Sequence, residues 1–132
     1  MTYKGAINCA GLVAYAETGT IKNSSINNLN IETNAEVTST AIGGIIANSK
    51  GSSISNCFTQ DIKFKINKTI NSLGIGGICG YDSTSNNITN CYSTGNIEAD
   101  TSNIGGIIGF AQNGEIKSCY STCLLYTSPS PR

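Results

Sequence analysis

Residues Gly74–Asp82 read "GIGGICGYD", and Asn103–Ala111 read "NIGGIIGFA", the same phrase about 30 positions on. A third copy, "AIGGIIANS", runs from Ala41 to Ser49, and a worn one, "CAGLVAYAE", from Cys9 to Glu17. A second phrase follows each: "IKNSS" from Ile21, "ISNCF" from Ile54, "ITNCY" from Ile88 and "IKSCY" from Ile116. A third segment completes the units, as "LNIE" from Leu29, "IKFKI" from Ile62 and "NIEA" from Asn96. The spacing is roughly 28 to 34 residues, a period at which self-similarity marks a solenoid, a propeller or an array.

The unit's composition chooses among these. Isoleucine set among Asn, Ser, Thr and Gly favours strands and turns, and no segment carries a 3.6-residue apolar period. Helical repeats are thereby excluded. A propeller blade needs four strands and a closed ring, and its tryptophan-aspartate signature is missing from a chain without tryptophan. Three short strands per unit suit one coil of a parallel β-helix, stacked about 4.8 Å from the next. The expected fold is all-β: a parallel β-helix, or β-solenoid, of about four coils with three short strands per coil.

Charge and hydropathy narrow the function. Lysine plus arginine numbers 8 and so does aspartate plus glutamate, so no net field draws the chain to nucleic acid or an anionic membrane. Charged residues make up 12% of the chain, well below the usual quarter. No run approaches the 18 or so apolar residues of a membrane span, and "MTYKGAINC" lacks the apolar stretch of a secretory signal.

The phrases "GGICGY", "GGIIGF" and "AGLVAY", each followed by a "NCYSTGNI"-like segment, resemble the GLUG-motif repeat of bacterial and some protist surface proteins. The resemblance spans nearly all of Cys9–Thr122. The first copy departs from it with Ala10 for the first glycine and Ser24 for the cysteine, and the second with Ala47-Asn48 in place of Gly-Tyr. The resemblance implies a β-solenoid stalk in a large secreted or surface-anchored protein, often adhesin-like, sometimes beside a secreted peptidase.

Strand alternation assigns side chains to faces. Over Ile75–Tyr81 one face carries Ile75, Gly77, Cys79 and Tyr81, the other Gly76, Ile78 and Gly80. The first is the more apolar in every copy and is expected inside. The glycines serve close backbone approach, since "GIGGICG" precedes neither a helix nor the Lys-Ser/Thr of a phosphate loop. Ile54 and Cys57 are three apart, so both can face inward only across a bend. Asn56 supplies it, because Asn tolerates the left-handed region. Asn23, Asn56 and Asn90 are then expected to stack as a buried amide ladder, which Ser118 ends.

Chemistry is sparse. With no histidine, triads and zinc-protease helices are excluded. The only close carboxylates, Glu98 and Asp100, read as a solvated pair. The calcium-binding glycine-aspartate nonapeptide is absent. Six cysteines could suggest a disulfide scaffold, yet Cys57, Cys91 and Cys119 share one repeat position, while Cys9 and Cys79 stand where other copies have Ile or Val. That is the behaviour of a small buried hydrophobe, and no CxxC pair precedes the tail. Phe58, Tyr92 and Tyr120 follow the ladder cysteines and should point outward as a row, either stacking between coils or serving as a ligand strip. Asn23, Asn67 and Asn87 begin N-x-S/T sequons of the kind this composition yields by chance.

The tail changes character. "CLLYTSPSPR", Cys123–Arg132, holds both prolines and the only Leu-Leu pair, and resembles one reading frame of an adapter ligated into sequencing libraries. Residues 1–122 are therefore read as repeat and 123–132 as a non-native tail. The solenoid is expected to continue past Thr122, with Met1 internal to a longer chain.

The expected function is structural and adhesive: a non-catalytic solenoid segment of a secreted or cell-surface protein. It takes no cofactor or metal, and inserts in no membrane. Its expected partners are glycans or proteins of a host or cell surface, besides its own neighbouring coils. The alternatives are the flank of a secreted peptidase or of a polysaccharide-cleaving enzyme. An ice-binding solenoid ranks last, because Thr59, Thr94 and Thr122 make too short a row.

Overall fold

Each repeat turns the chain at a Gly-Gly pair and again at an Asn-type residue, and these turns close the coil. The computed structural model describes residues 7–33, 40–66, 72–99 and 103–127. The first coil holds β1 (Ile7–Ala10), β2 (Val13–Glu17), β3 (Thr20–Lys22), β4 (Ser25–Asn27) and β5 (Asn30–Glu32). The second holds β6 (Thr40–Gly43), β7 (Ile46–Lys50), β8 (Ser53–Ser55) and β9 (Phe58–Ile66). The third holds β10 (Ser72–Gly76), β11 (Cys79–Asp82), β12 (Asn86–Thr89) and β13 (Tyr92–Ala99). The fourth holds β14 (Ile104–Gly105), β15 (Ile108–Ala111), β16 (Gly114–Lys117), β17 (Tyr120–Ser121) and β18 (Leu124–Thr127).

Among the described residues, every pairing is parallel and joins a strand to its equivalent one coil away. The four sheets run β1-β6-β10-β14, β2-β7-β11-β15, β3-β8-β12-β16 and β4-β9-β13-β17, with β5 and β18 extending the last. This is a parallel β-helix, as the repeat implied, but its coil has four faces rather than three. The difference lies in the glycine phrase. Instead of one strand, it makes two, divided by a bend at Gly44-Ile45, Gly77-Ile78 and their equivalents.

That bend overturns the assignment of faces over Ile75–Tyr81. Ile75, Ile78 and Cys79 are all fully buried, while Tyr81 lies outside and stacks on Phe110. Strict alternation ends where the backbone turns a corner, so Ile78 enters the core and Tyr81 leaves it. The glycine is required there by close approach. A Cβ on Gly77 would run into the Ser93 hydroxyl on the opposite side of the coil and the Gly106 carbonyl of the next.

The second corner follows expectation in kind. Asn23, Asn56 and Asn90 have φ of 54°, 52° and 53°, and Ser118 takes 53° in the last coil. Asn56 Nδ2 donates to Asn23 Oδ1 at 3.2 Å. The ladder is exposed rather than buried, because an αL residue at a convex corner projects its side chain outward. The long fourth face bends once more at Asn28, Asp61 and Gly95, each with positive φ.

Two apolar columns fill the interior. One centres on Ile42, Ile75, Phe64 and Ile97, the other on Ile46, Ile54, Cys57, Cys79, Ile88 and Cys91. β-Branched isoleucine, stiff at χ1, repeats in register and packs on its own copy one coil away. Beyond Thr122, Leu124–Thr127 takes the strand position equivalent to Asn96–Ala99, whatever the origin of those residues.

Candidate functional site

Three features could meet or hold another molecule. The first is the row on the fourth face. Phe58 and Tyr92 stack with centroids 4.7 Å apart and planes 2° off parallel, and Tyr92 and Tyr120 with 5.1 Å and 6°. The register Phe58↔Tyr92↔Tyr120 places the rings one above another. Phe58 and Tyr92 are half-buried and Tyr120 is 58% exposed. Gln60 Nε2 donates to the Tyr92 hydroxyl at 3.3 Å. The three residues singled out in the sequence are thus brought together, with ring faces turned to each other along the axis and edges outward. Thr59 shares this strand but points inward, giving its hydroxyl to the Gly77 carbonyl at 3.1 Å and lying 2.8 Å from Ser93 Oγ. A surface threonine row is not formed from it.

The second feature is the thiol ladder. Cys57 and Cys91 are buried and Cys119 partly so, and all six cysteines are free. Each ladder thiol donates to the carbonyl two residues before it: Cys57 to Ser55 at 3.2 Å, Cys91 to Thr89 at 3.3 Å and Cys119 to Lys117 at 3.2 Å. The hydrogen bond with Cys57, and then burial, push the Cys91 thiol far above its ordinary range. Burial, helped by the Asp82 carboxylate, pushes Cys79 up to about 12. Cys79 and Cys91 are thus neutral thiols in a core, poor nucleophiles and poor ligands, while the hydrogen bond with Cys91 lowers the Cys57 thiol to about 7 at a position sealed from solvent. Among the described residues, no three His, Cys, Asp or Glu side chains gather as a metal-ligating group.

The third feature was not foreseen. Along one inner corner, the register runs Ala16, Ser49, Asp82, Ala111. Beside it stand Gly19, Ser52, Asn86 and Gly114. Small residues occupy this corner in every coil but the third, which inserts an acid and an amide. Asp82 is 1% exposed and Asn86 2%. The Thr84 N–H donates to Asp82 Oδ1 at 2.9 Å, and the Ser52 N–H to Asn86 Oδ1 at 2.6 Å. Asn86 Nδ2 has no partner, nor has the Ser49 hydroxyl. An unanswered buried donor costs about 1–3 kcal/mol. Burial pushes the Asp82 carboxyl above its ordinary range. Both side chains line a hollow of about 160 Å³, left where Ala111 and Gly114 offer nothing to meet them. The sequence does carry a signal for this pair: Asp82 and Asn86 break a column of Ala, Ser and Gly once the copies are aligned.

Other candidates separate. Glu98 is exposed on β13, in register with Lys65 and Tyr126, and Asp100 lies outside the described residues, as does the sequon at Asn67. Asn23 and Asn87 are exposed. No helix among the described residues is long and apolar enough to cross a membrane.

Stacked coils of one phrase, with a ladder of equivalent residues on every face, define the class: a repeat solenoid built as a parallel β-helix. Residues 100–122, which span most of the fourth copy, match the family model described as the GLUG motif, and the parallel register carries the same pattern through the other three copies. The matched stretch is consistent with a GLUG-motif repeat protein. No curated protein and no solved structure matches it.

Proposed function

We propose that this chain is a non-catalytic, structural and adhesive segment of a secreted or cell-surface protein, a stiff spacer whose coils present side chains to glycans or proteins of another surface. The observation that carries the reading is the pairing pattern. Among the described residues, each strand pairs only with its equivalents in neighbouring coils, so length grows by repetition while the section stays constant. Such a body holds a contact site at a fixed distance from its root.

Within this reading the aromatic row is scaffold. Parallel stacked rings along the axis add coil-to-coil attraction where the fourth face meets water. Replacing Tyr92 by Ala removes both ring pairs at once and, at about 0.5–1.5 kcal/mol per pair, should lower stability by about 1–3 kcal/mol, measured by urea denaturation. A glycan-array comparison of wild type and Tyr92→Ala, both folded by circular dichroism, tests the adhesive part. Scaffolding predicts the same binding profile for both proteins. Selective loss in Tyr92→Ala would instead make the row the ligand strip, and an empty array for wild type would count against glycans as the partner.

A further inference from the structure

The outer face of the second sheet carries an aromatic ring in three coils and lacks one in the second. The register runs Tyr15, Asn48, Tyr81, Phe110. Where two rings are neighbours they stack, Tyr81 on Phe110 with centroids 5.4 Å apart. At Asn48 a short amide stands in place of the ring. The coils on either side of it carry Tyr15 and Tyr81, two steps of about 4.8 Å from each other, or ~9.6 Å. A ring placed midway would lie about 4.8 Å from each, inside the range of about 4.5–7 Å for a favourable aromatic pair. The molecule uses that spacing already, at 4.7 Å for Phe58 and Tyr92 and 5.1 Å for Tyr92 and Tyr120. The gap is open to solvent from the side, since Tyr15 is exposed and Asn48 and Tyr81 are half-buried. It lies between the first and third coils, with a wall toward each end. The charged groups beside it are engaged with one another: the Tyr15 hydroxyl donates to Glu17 Oε2 at 3.4 Å, and Lys50 pairs with Glu17 Oε1 at 3.3 Å. The Asn48 amide, at the floor, has no partner among the described residues.

We infer that the gap over Asn48 takes one tyrosine side chain of a partner protein, its ring held between Tyr15 and Tyr81. A tyrosine entering from solvent leads with its hydroxyl, which meets the Asn48 amide at the floor and can donate to it or accept from it. Phenylalanine would gain the two ring faces and leave the amide unanswered. A pyranose carries hydroxyls all round its rim, and one free amide answers few of them. The inference rests on the adhesive reading only in taking the ring from a partner protein. The site itself rests on the register and on the missing ring.

The test is nuclear magnetic resonance on the whole chain, at a protein concentration where sedimentation shows a monomer. The probes are N-acetyltyrosinamide, N-acetylphenylalaninamide, N-acetylleucinamide and methyl glucoside. The tyrosine probe should move the Asn48 side-chain amide pair, and its own ring protons should shift upfield, as they do between two ring faces. The phenylalanine probe should bind more weakly, and the leucine probe about tenfold or more below tyrosine. Asn48→Tyr fills the gap with the protein's own ring. It should abolish binding while raising the urea midpoint, so that loss of folding cannot account for the result. Tyr92→Ala, on another face, should bind as wild type does. An Asn48 amide pair that stays still with the tyrosine probe would overturn the site, and so would Asn48→Tyr binding as well as wild type. Movement with methyl glucoside alone would give the gap to sugars and overturn the inference too. An empty glycan array counts against glycan adhesion and changes none of these outcomes, whereas a silent Asn48 removes this inference and leaves the array result standing.

Discussion

At the residue scale, the coil depends on a few side chains chosen for backbone reasons. Asn56 is at φ 52°, where a Cβ is tolerated poorly and a branched one worse. Asn56→Gly should therefore hold stability to within about 1 kcal/mol, losing the bond to Asn23 but relieving the backbone. Asn56→Val should cost about 1–3 kcal/mol, since a β-branched residue must be forced into the left-handed region. Equal thermal midpoints for the two variants would show that the corner does not constrain the chain. The bend itself was legible from the three-residue interval between Ile54 and Cys57. The direction of the amide was not, because spacing says where a chain turns but not which side of the turn meets water. The cysteines argue similarly. Stacked side chains about 4.8 Å apart lie beyond the 3.5–4.5 Å between Cβ atoms of a disulfide. Cys57, Cys79 and Cys91 should resist a thiol reagent until denaturant is added, whereas the partly exposed Cys9, Cys119 and Cys123 react sooner. A Cys57–Cys91 bridge found by mass spectrometry of the air-exposed protein would contradict the ladder.

At the element scale, the unit of construction is the bend between two strands rather than the strand. The phrase around Gly77 looks like one seven-residue strand because its apolar residues alternate, and alternation is the ordinary sign of a strand. The structure divides it because both glycines of the pair sit where the chain has no room for a side chain. For Gly77 that crowding comes from the Ser93 side of the coil and from the next coil, contacts that no local pattern records, while for Gly76 it comes first from the Cys79 carbonyl across the bend. The consequence can be measured. Gly77→Ala must push apart the Ser93 hydroxyl and the Gly106 carbonyl, an overpacking that should cost about 1–3 kcal/mol. Gly19→Ala, where no atom lies within 4 Å of the added Cβ, should be tolerated. Urea midpoints for the two variants separate the readings: similar losses would mean that glycine acts here through flexibility alone, not through contact. The inner-corner pair shows the same limit. Asp82 and Asn86 look like loop residues, and only the closure of the coil reveals that they are buried.

At the scale of the whole molecule, the repeat period made the coil legible, since only stacked copies can bury a stripe that one copy leaves bare. The same logic acts on the outermost coils. Their inward residues are partly exposed, where the equivalents in the middle coils are sealed. On the outer face, Tyr15 in the first coil is 50% exposed and Phe110 in the last 38%. These two occupy one register position, linked through Asn48 and Tyr81. A second copy stacked in the same sense would set its Tyr15 on Phe110, extending the Tyr81–Phe110 stack of 5.4 Å. It would also offer β1 to β4 as partners for β14 to β17, edge to edge. Such a contact joins unlike faces, so it does not close on itself and sets no limit to length. The chain should sediment as a distribution that moves to heavier species as concentration rises, and Tyr15→Lys should return it toward monomer. A concentration-independent monomer would show that the outer edges are not adhesive. A plateau at the dimer would show that two like edges meet instead, and the head-to-tail register would have to be abandoned.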